Sequence, residues 1–149
     1  RPARDQKVFY ESAATAAILR YTEGYPYFLQ EYGKHVWNIA QGDKITLKDV
    51  LAAKPLIAAH LDENFFRVRY DRLTPSEKNF LRAIAELGPG AHRTGDIAEI
   101  LKVKVTSLGP VRAKLINKGM IFSPAHGDLD FTVPLFDDFM IRAIPTFKR

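Results

Sequence analysis

The stretch that most constrains the fold is LTPSEKNFLRAIAELG, residues 73–88, because it contains the signals for both ends of one helix. Thr74 is a typical N-cap residue, and Pro75 suits the first helical position. Glu77 stands three residues after the cap, where it completes a capping box. The apolar residues that follow share one face, and Gly88 marks the end. We therefore expect an amphipathic helix whose apolar face must be covered by later elements.

Two more helices are expected after this one. TGDIAEILKV has the apolar spacing of a short helix, capped by Thr94 or Asp96. KVTSLGPVRAKLINKG is typical of a third helix, in which Ser107 caps the start, Pro110 is tolerated in the first turn and Gly119 marks the end. Three short helices in succession indicate a compact helix-turn-helix core.

Two short strands and a last helix complete this half of the chain. MIFSP and LDFTV flank the turn signal AHGD, which predicts a β-hairpin with Ile121 and Phe131 facing inward. A final helix is expected to start at Pro134. Helix, helix, basic helix and hairpin is the order of a winged helix. We predict a mainly α fold in which residues 73–149 form a winged helix-turn-helix domain with a small two-stranded β-hairpin wing.

The first half, residues 1–72, is predicted to be a separate helical, lid-like subdomain. RDQKVFYESAATAAILRYT is rich in alanine with a mostly helical apolar spacing, and PYFLQEYGKHVWNIAQG carries a wide apolar stripe at steps of three and four. Thr46 is the expected N-cap of a further helix or helix pair, interrupted at Pro55. No alternating strand pattern occurs in this half.

Composition narrows the class of protein. The 149 residues are 46% hydrophobic and 26% charged, as in a soluble globular protein. No apolar run reaches the length of a membrane span, so no membrane partner is expected. The absence of cysteine excludes disulfides and thiolate metal sites and favours a cytoplasmic location. The chain begins at Arg1 without a signal-peptide pattern, which suggests a piece of a longer protein.

Most of the net charge of +5 lies in one region, residues 91–127, which contains six Lys and Arg residues and two acidic residues. A basic third helix and wing point to contact with the phosphates of a DNA duplex. The candidate nucleic-acid-binding residues are Arg93, Lys102, Lys104, Thr106, Ser107, Arg112, Lys114, Lys118 and His126.

A plainer interpretation of the same residues is a solvated helix face, with Arg112 in particular playing a structural part. His126 is more often a polar turn residue than a DNA contact, and we favour that role for it. Winged helices also bind proteins, so the fold alone does not decide the partner. The start of the third helix is poor in the side chains that identify bases, which favours weak, sequence-tolerant DNA binding.

No catalytic or metal site is predicted. The four histidines show no ligand spacing, and the pairs Asp128/Asp130 and Asp137/Asp138 suit the wing and a helix N-terminus better than a cation. No nucleophile–base or acid–base constellation emerges, so the chain is not expected to be an enzyme by itself.

The remaining motif is TEGYPYFLQEYGKHVW, residues 22–37, which opens an aromatic-rich helix with a Gly-x-Pro step. Together with LTPSEKNFLRAIAELGPGAHRTGDIAEIL, GPVRAKLINKGMIFSP and GDLDFTVPLFDDFMIRAIP, it resembles the C-terminal half of prokaryotic AAA-type ATPases, related in layout to STAND and archaeal origin-recognition-type ATPases. The resemblance covers essentially the whole chain. It implies a helical lid, then a winged helix, after a P-loop domain that lies outside this chain.

The resemblance also implies roles for three residues. Gly24, Tyr25 and Pro26 are similar to the GxP motif of the STAND class, in which the proline step lies against the bound adenine. ATP and Mg²⁺ would then be cofactors of the parent protein, held mainly by the P-loop domain. The plainer interpretation is a helix stop followed by a proline-initiated helix.

The chain lacks the motifs with which these ATPases bind phosphate and Mg²⁺ and hydrolyse ATP. It has no G-x-x-x-x-G-K-[ST], no apolar strand ending in paired acids, and no clear sensor arginine, Arg20 being the nearest cation. No cofactor is therefore expected in this chain alone.

Two hypotheses follow from different classes of function. In the first, the lid completes a nucleotide site and the winged helix binds DNA. In the second, the winged helix is a regulatory module that binds a protein partner and no DNA.

Overall fold

The computed structural model describes residues 9–147 of the chain. Two compact units are present, the first ending at Phe65 and the second beginning at Phe66. The boundary predicted between residues 72 and 73 lies further along the chain. The rings of Phe66 and Tyr70 pack on Phe139, at 5.4 and 5.7 Å between centroids, which accounts for the earlier start of the second unit.

The first unit is mainly helical, as predicted. Its elements are β1 (Phe9–Tyr10), α1 (Ser12–Thr22), α2 (Pro26–Ile39), β2 (Lys44–Ile45) and α3 (Leu47–Leu61), followed by a π-helical turn (Asp62–Phe66) that crosses into the second unit. Buried alanines on α1 and α3, Ala14, Ala17 and Ala53, allow close packing of these helices.

This half also contains two short strands, which no alternating pattern in the sequence indicated. β1 pairs in parallel with β2, Phe9 opposite Lys44 and Tyr10 opposite Ile45. Two-residue strands are too short to show an alternating pattern, so the sequence gives no sign of them. The predicted first helix extended back over Val8, which lies outside the described residues.

The start of α3 was predicted correctly and its interruption was not. Thr46 and Asp49 form a capping box, in which the Asp49 N–H donates to Thr46 Oγ1 at 3.3 Å and the Thr46 N–H donates to Asp49 Oδ2 at 2.9 Å. The helix runs through Pro55 without a break. Pro55 and Leu51, one turn earlier, are both exposed, so water can replace the missing N–H donor.

The second unit is a winged helix, as predicted, with one more strand than expected. Its elements are α4 (Arg67–Tyr70), α5 (Pro75–Glu86), β3 (His92–Arg93), α6 (Thr94–Leu101), a 3₁₀ turn (Val105–Leu108), α7 (Gly109–Asn117), β4 (Ile121–Phe122), β5 (Asp128–Phe131) and α8 (Phe136–Ala143). The strands form an antiparallel sheet in the order β3-β5-β4.

The hairpin register agrees with the prediction, and the third strand corrects it. Ile121 pairs with Phe131, and Ile121 is buried, whereas Phe131 is half-buried and stacks on Phe136 at 5.9 Å. His92 pairs with Leu129 in a third strand that was not predicted, because GPGAHR, residues 88–93, has the composition of a turn. The strand has only two residues and follows Gly88 and Gly90, so the glycines indicate a turn more strongly than these two residues indicate a strand.

The signals that define α5 are confirmed. The Glu77 N–H donates to Thr74 Oγ1 at 3.2 Å, and the Thr74 N–H donates to Glu77 Oε1 at 2.9 Å. Pro75 is the first helical residue, and Gly88 follows the helix with a φ of +97°. Phe80, one of the residues on the apolar face, is 1% exposed.

The predicted starts of the other helices need correction. α6 has Arg93 at its N-cap position, and neither Thr94 nor Asp96 caps it; the Thr94 hydroxyl donates instead to the Gly127 carbonyl at 3.0 Å, which joins α6 to the wing turn. Ser107 does not cap the third helix, because it lies inside the 3₁₀ turn and donates to the Lys104 carbonyl.

The last helix starts later than predicted. α8 begins at Phe136 rather than Pro134, because Leu135 has a φ of +68° and cannot be part of a right-handed helix. Within residues 9–147, none of the helices has the length and hydropathy that crossing a bilayer requires.

Candidate functional site

The third helix presents one exposed side. Leu108 and Leu115 are buried and fix the 3₁₀ turn and α7 to the rest of the unit. The exposed positions recur at steps of three and four, as expected for one side of a helix. We call this side the α7 face: Thr106, Pro110, Ala113, Lys114 and Asn117.

Four of the predicted DNA-binding cations lie on the third helix or in segments next to it and have no acidic partner among the described residues. Arg93, Lys102, Lys104 and Lys114 are exposed, and none takes part in the ion pairs found among residues 9–147. Arg112 is half-buried and has no ion pair in the same range. Cations without ion pairs can neutralise an external anion without first breaking an ion pair within the protein.

The turn between α6 and the 3₁₀ segment places two of these cations close together in the chain. Lys102 ends α6 with a φ of +58°, a conformation that non-glycine residues seldom adopt. Val103, between Lys102 and Lys104, is 45% exposed, and its N–H donates to the Ala98 carbonyl at 3.1 Å. The turn is therefore held by backbone hydrogen bonds while its side chains point outward.

Lys118 differs from the other predicted cations, because it has partners inside the unit. Its Nζ lies 2.6 Å from Glu77 Oε1 and donates to the Arg72 carbonyl at 3.1 Å. Burial raises the pKa of the Glu77 carboxyl, but the Lys118 hydrogen bond, the Thr74 N–H and the Lys118 charge outweigh that effect and lower it overall. Lys118 joins the end of α7 to the start of α5.

An open cleft of about 570 Å³ brings two distant candidates together. Arg93, before α6, and His126, in the wing turn, both line it, together with Val105. Asp96 and Asp128 line it as well, so the cleft is mixed in charge. Arg93 and His126 therefore lie beside the third helix, but the acids make this the least cationic part of the candidate surface.

The structure adds residues that the sequence interpretation missed. Asn117 belongs to the α7 face, and Val105 lines the cleft. The helical spacing from Thr106 to Asn117 was a signal that could have identified Asn117. Ser107, a predicted DNA contact, is exposed, but its hydroxyl already donates to the Lys104 carbonyl at 2.6 Å.

In the first unit, the Gly24–Pro26 step joins α1 to α2. The Gly24 N–H donates to Thr22 Oγ1 at 3.2 Å, and the Thr22 hydroxyl donates to the Ile18 carbonyl at 2.7 Å. Gly24 has a φ of +76°, which favours glycine. Pro26 starts α2 and is exposed. The plainer interpretation, a helix stop and a proline start, is thus satisfied by the local structure.

The aromatic residues around this step form a cluster within the first unit. Tyr25 packs on Phe28 at 4.8 Å between centroids, and Tyr27 packs on Phe65 at 4.8 Å. Tyr27 keeps 39% of its surface exposed beside Pro26. Pro26 and Tyr27, neighbours at the start of α2, are therefore both accessible to an external partner.

A second cluster, missed by the sequence interpretation, joins α2 to α3. His35 and His60, far apart in the sequence, have ring centroids 5.7 Å apart. Glu31 Oε2 is buried and lies 3.4 Å from His60 Nε2 and 3.8 Å from His35 Nδ1. In the part of the chain that the structure describes, no group of three acidic or imidazole side chains is arranged to hold a metal ion.

Comparison with protein families places part of the chain in a known family. Residues 63–140 match the model of the family described as Domain of unknown function (DUF8462), a range that begins within the π-helical turn and takes in most of the second unit. A comparison with curated proteins finds no match.

Proposed function

We propose that this chain, which belongs to the DUF8462 family of domains, binds duplex DNA through its winged-helix unit with little sequence preference. The observation that carries the proposal is the set of exposed cations without ion pairs around the third helix: Arg93, Lys102, Lys104 and Lys114. Such cations gain free energy by releasing the counterions condensed on a phosphate backbone.

Low sequence preference is supported by the chemistry of the α7 face. Base identification in the major groove relies mainly on Arg, Lys, Asn and Gln side chains that form paired hydrogen bonds with base edges. The start of the face has none of these, and the two that the face does contain, Lys114 and Asn117, stand in the C-terminal half of α7. Phosphate contacts would therefore supply most of the affinity.

A salt series tests this proposal. We expect the chain to bind a labelled random-sequence duplex in a fluorescence-anisotropy titration, with log affinity falling linearly in log salt and a slope of about −4 for four to five phosphate contacts. A slope near zero, or no binding at low salt by the folded protein, would exclude DNA binding by this surface.

We propose a second role for the first unit, as a lid that completes the nucleotide site of a P-loop ATPase domain in the cytoplasm. Support comes from the resemblance of Gly24-Tyr25-Pro26 to the GxP motif and from the exposure of Pro26 beside the Tyr27 ring. This chain would add an apolar contact for the base, while the P-loop domain would bind the phosphates and Mg²⁺.

Changing Pro26 tests the lid. In the protein that carries the P-loop domain, Pro26→Ala should weaken ATP affinity about threefold, because alanine makes the step less rigid. Isothermal titration with a non-hydrolysable ATP analogue measures this. Pro124→Ala, another exposed proline, in the wing, is the matched control. Equal affinities of the two variants would remove the support for a nucleotide contact.

A different class of function has one observation in its favour. Val103, Val105 and Phe122 in the second unit are each 44–48% exposed, and exposed apolar side chains suit a protein partner. In that case the winged helix would bind a protein in a salt-tolerant manner and no duplex. The salt series separates the two possibilities.

A further inference from the structure

The α7 face differs in chemistry from the cations around it. Within residues 9–147, none of its side chains makes a hydrogen bond or an ion pair, so all are available to an external partner. Along its first two turns the only polar side-chain atom is the Thr106 hydroxyl. Pro110 and Ala113 offer only carbon, and Lys114 places a charge beside them.

Carbon groups on a helix in the major groove can contact one base-specific feature. Thymine presents its C5 methyl there, and the side chains of alanine and the methyl of threonine are suited to contact it. Guanine and adenine are identified instead by paired hydrogen bonds, which the first two turns of the α7 face cannot offer. The face therefore favours apolar contact over hydrogen bonding.

The surrounding charges fix the kind of partner. Lys114 on the face, and Lys102 and Lys104 in the turn before it, have no acidic partner among the described residues, which complements a polyanion. A helix enters the wide major groove of B-form DNA, whereas the major groove of an RNA duplex is too deep and narrow.

Resting on the proposed DNA binding, we propose that the α7 face contacts thymine methyl groups in the major groove, so that the preferred partner is A·T-rich duplex DNA recognised without hydrogen bonds to bases. The preference is modest, since each buried methyl contributes roughly a fourfold gain in affinity. Phosphate contacts provide the rest.

Three duplexes of equal length test the inference by anisotropy at one salt concentration with the full chain. The first is A·T-rich, the second is the same sequence with deoxyuridine in place of thymidine, and the third is G·C-rich. The first should bind roughly 4- to 10-fold more tightly than the second. The uridine duplex lacks only the methyl groups and keeps every phosphate and hydrogen-bonding group.

A matched pair of variants locates the contact. Thr106→Ser removes the side-chain methyl and keeps the hydroxyl, whereas Thr106→Val does the reverse. Thr106 is exposed, so both variants should fold. Thr106→Ser should reduce the preference for thymine over uracil by about twofold or more, and Thr106→Val should keep it. Loss of the preference in Thr106→Val alone would assign it to the hydroxyl and overturn the inference.

The remaining outcomes separate this inference from the proposed function. Equal affinity for the thymidine and deoxyuridine duplexes, with a steep salt dependence, would overturn the methyl contact and leave DNA binding in place. Failure to bind any of the three duplexes at low salt would overturn both.

Discussion

Replacing Lys118 with methionine is expected to lower the free energy of unfolding of the second unit by about 3 kcal/mol. The Lys118 ammonium pairs with Glu77, whose side chain is 1% exposed. Without it, the partners that remain to the buried carboxylate among the described residues are the N–H and the side chain of Thr74. Lys118 itself is 37% exposed, so water compensates part of the loss and the effect falls at the low end of the range for buried pairs.

Urea denaturation of the full chain measures this change. Lys114→Met is the matched control, because Lys114 is exposed on the same helix and has no ion pair in the described range; it should change stability by less than about 0.5 kcal/mol. Glu77→Gln combined with Lys118→Met should recover part of the loss, since position 77 then holds no unpaired buried charge. Equal stabilities for Lys118→Met and Lys114→Met would contradict a structural role for the pair.

The same pair predicts how stability depends on pH. The pKa of Glu77 is lowered in the folded state from its ordinary value of 4.5, so the folded protein holds this proton less tightly than the unfolded chain does. Its contribution is therefore complete above pH 4.5 and is lost as the pH falls through the folded-state pKa. Glu77→Gln should flatten this acid-side loss in pH-dependent urea titrations. Glu99→Gln, at an exposed glutamate, should leave it unchanged.

At Asp138 the pKa is raised in the folded state, whereas that of Glu77 is lowered. The pKa of Asp138 is raised by burial and by the nearby charge of Asp137, against the smaller effect of Arg142. A raised pKa favours the folded state at low pH, and this contribution is lost as the pH rises through the folded-state pKa. Asp138→Asn is therefore expected to steepen the loss of stability at acid pH, the opposite of the effect expected for Glu77→Gln. The same pH-dependent urea titrations measure it.

Features determined by nearby residues were predictable from the sequence. The N-cap at Thr46 and the capping box at Thr74 were identified because a cap acts through side-chain and backbone groups of one helical turn. That Asp49 completes a second box at Thr46 was not predicted. The order of the winged-helix elements was predictable too, because each helix has its own apolar spacing and the hairpin its own turn signal. Ser107 failed as a cap because a 3₁₀ turn, favoured by tertiary packing of Leu108, replaced the first turn of the helix.

Features that depend on distant residues were not predictable. Lys118 and Glu77 are 41 residues apart, and nothing in either segment distinguishes Lys118 from the exposed lysines around it. The convergence of His35 and His60 on Glu31 likewise depends on the packing of α2 on α3. A basic segment can thus be recognised in a sequence, but the structure is needed to tell which of its cations are already paired.

That distinction supports the prediction with the largest expected effect on binding. Changing Lys102, Lys104 and Lys114 together to glutamine should weaken duplex binding roughly 100-fold at about 0.1 M salt and reduce the magnitude of the log–log salt slope by about 3. These lysines are exposed and have no ion pairs among residues 9–147, so their loss should cost little stability. Anisotropy titrations across a salt series measure both quantities.

The control has to keep the overall charge equal, because a basic protein attracts DNA by its net charge alone. Changing Lys34, Lys44 and Lys48 of the first unit to glutamine lowers the net charge of +5 by the same three units and leaves the third helix intact. If binding depends on the placement of the cations, this variant should keep a salt slope close to that of the unmodified chain. Equal weakening in both variants would mean that net charge alone attracts the duplex and that the third helix is not the site.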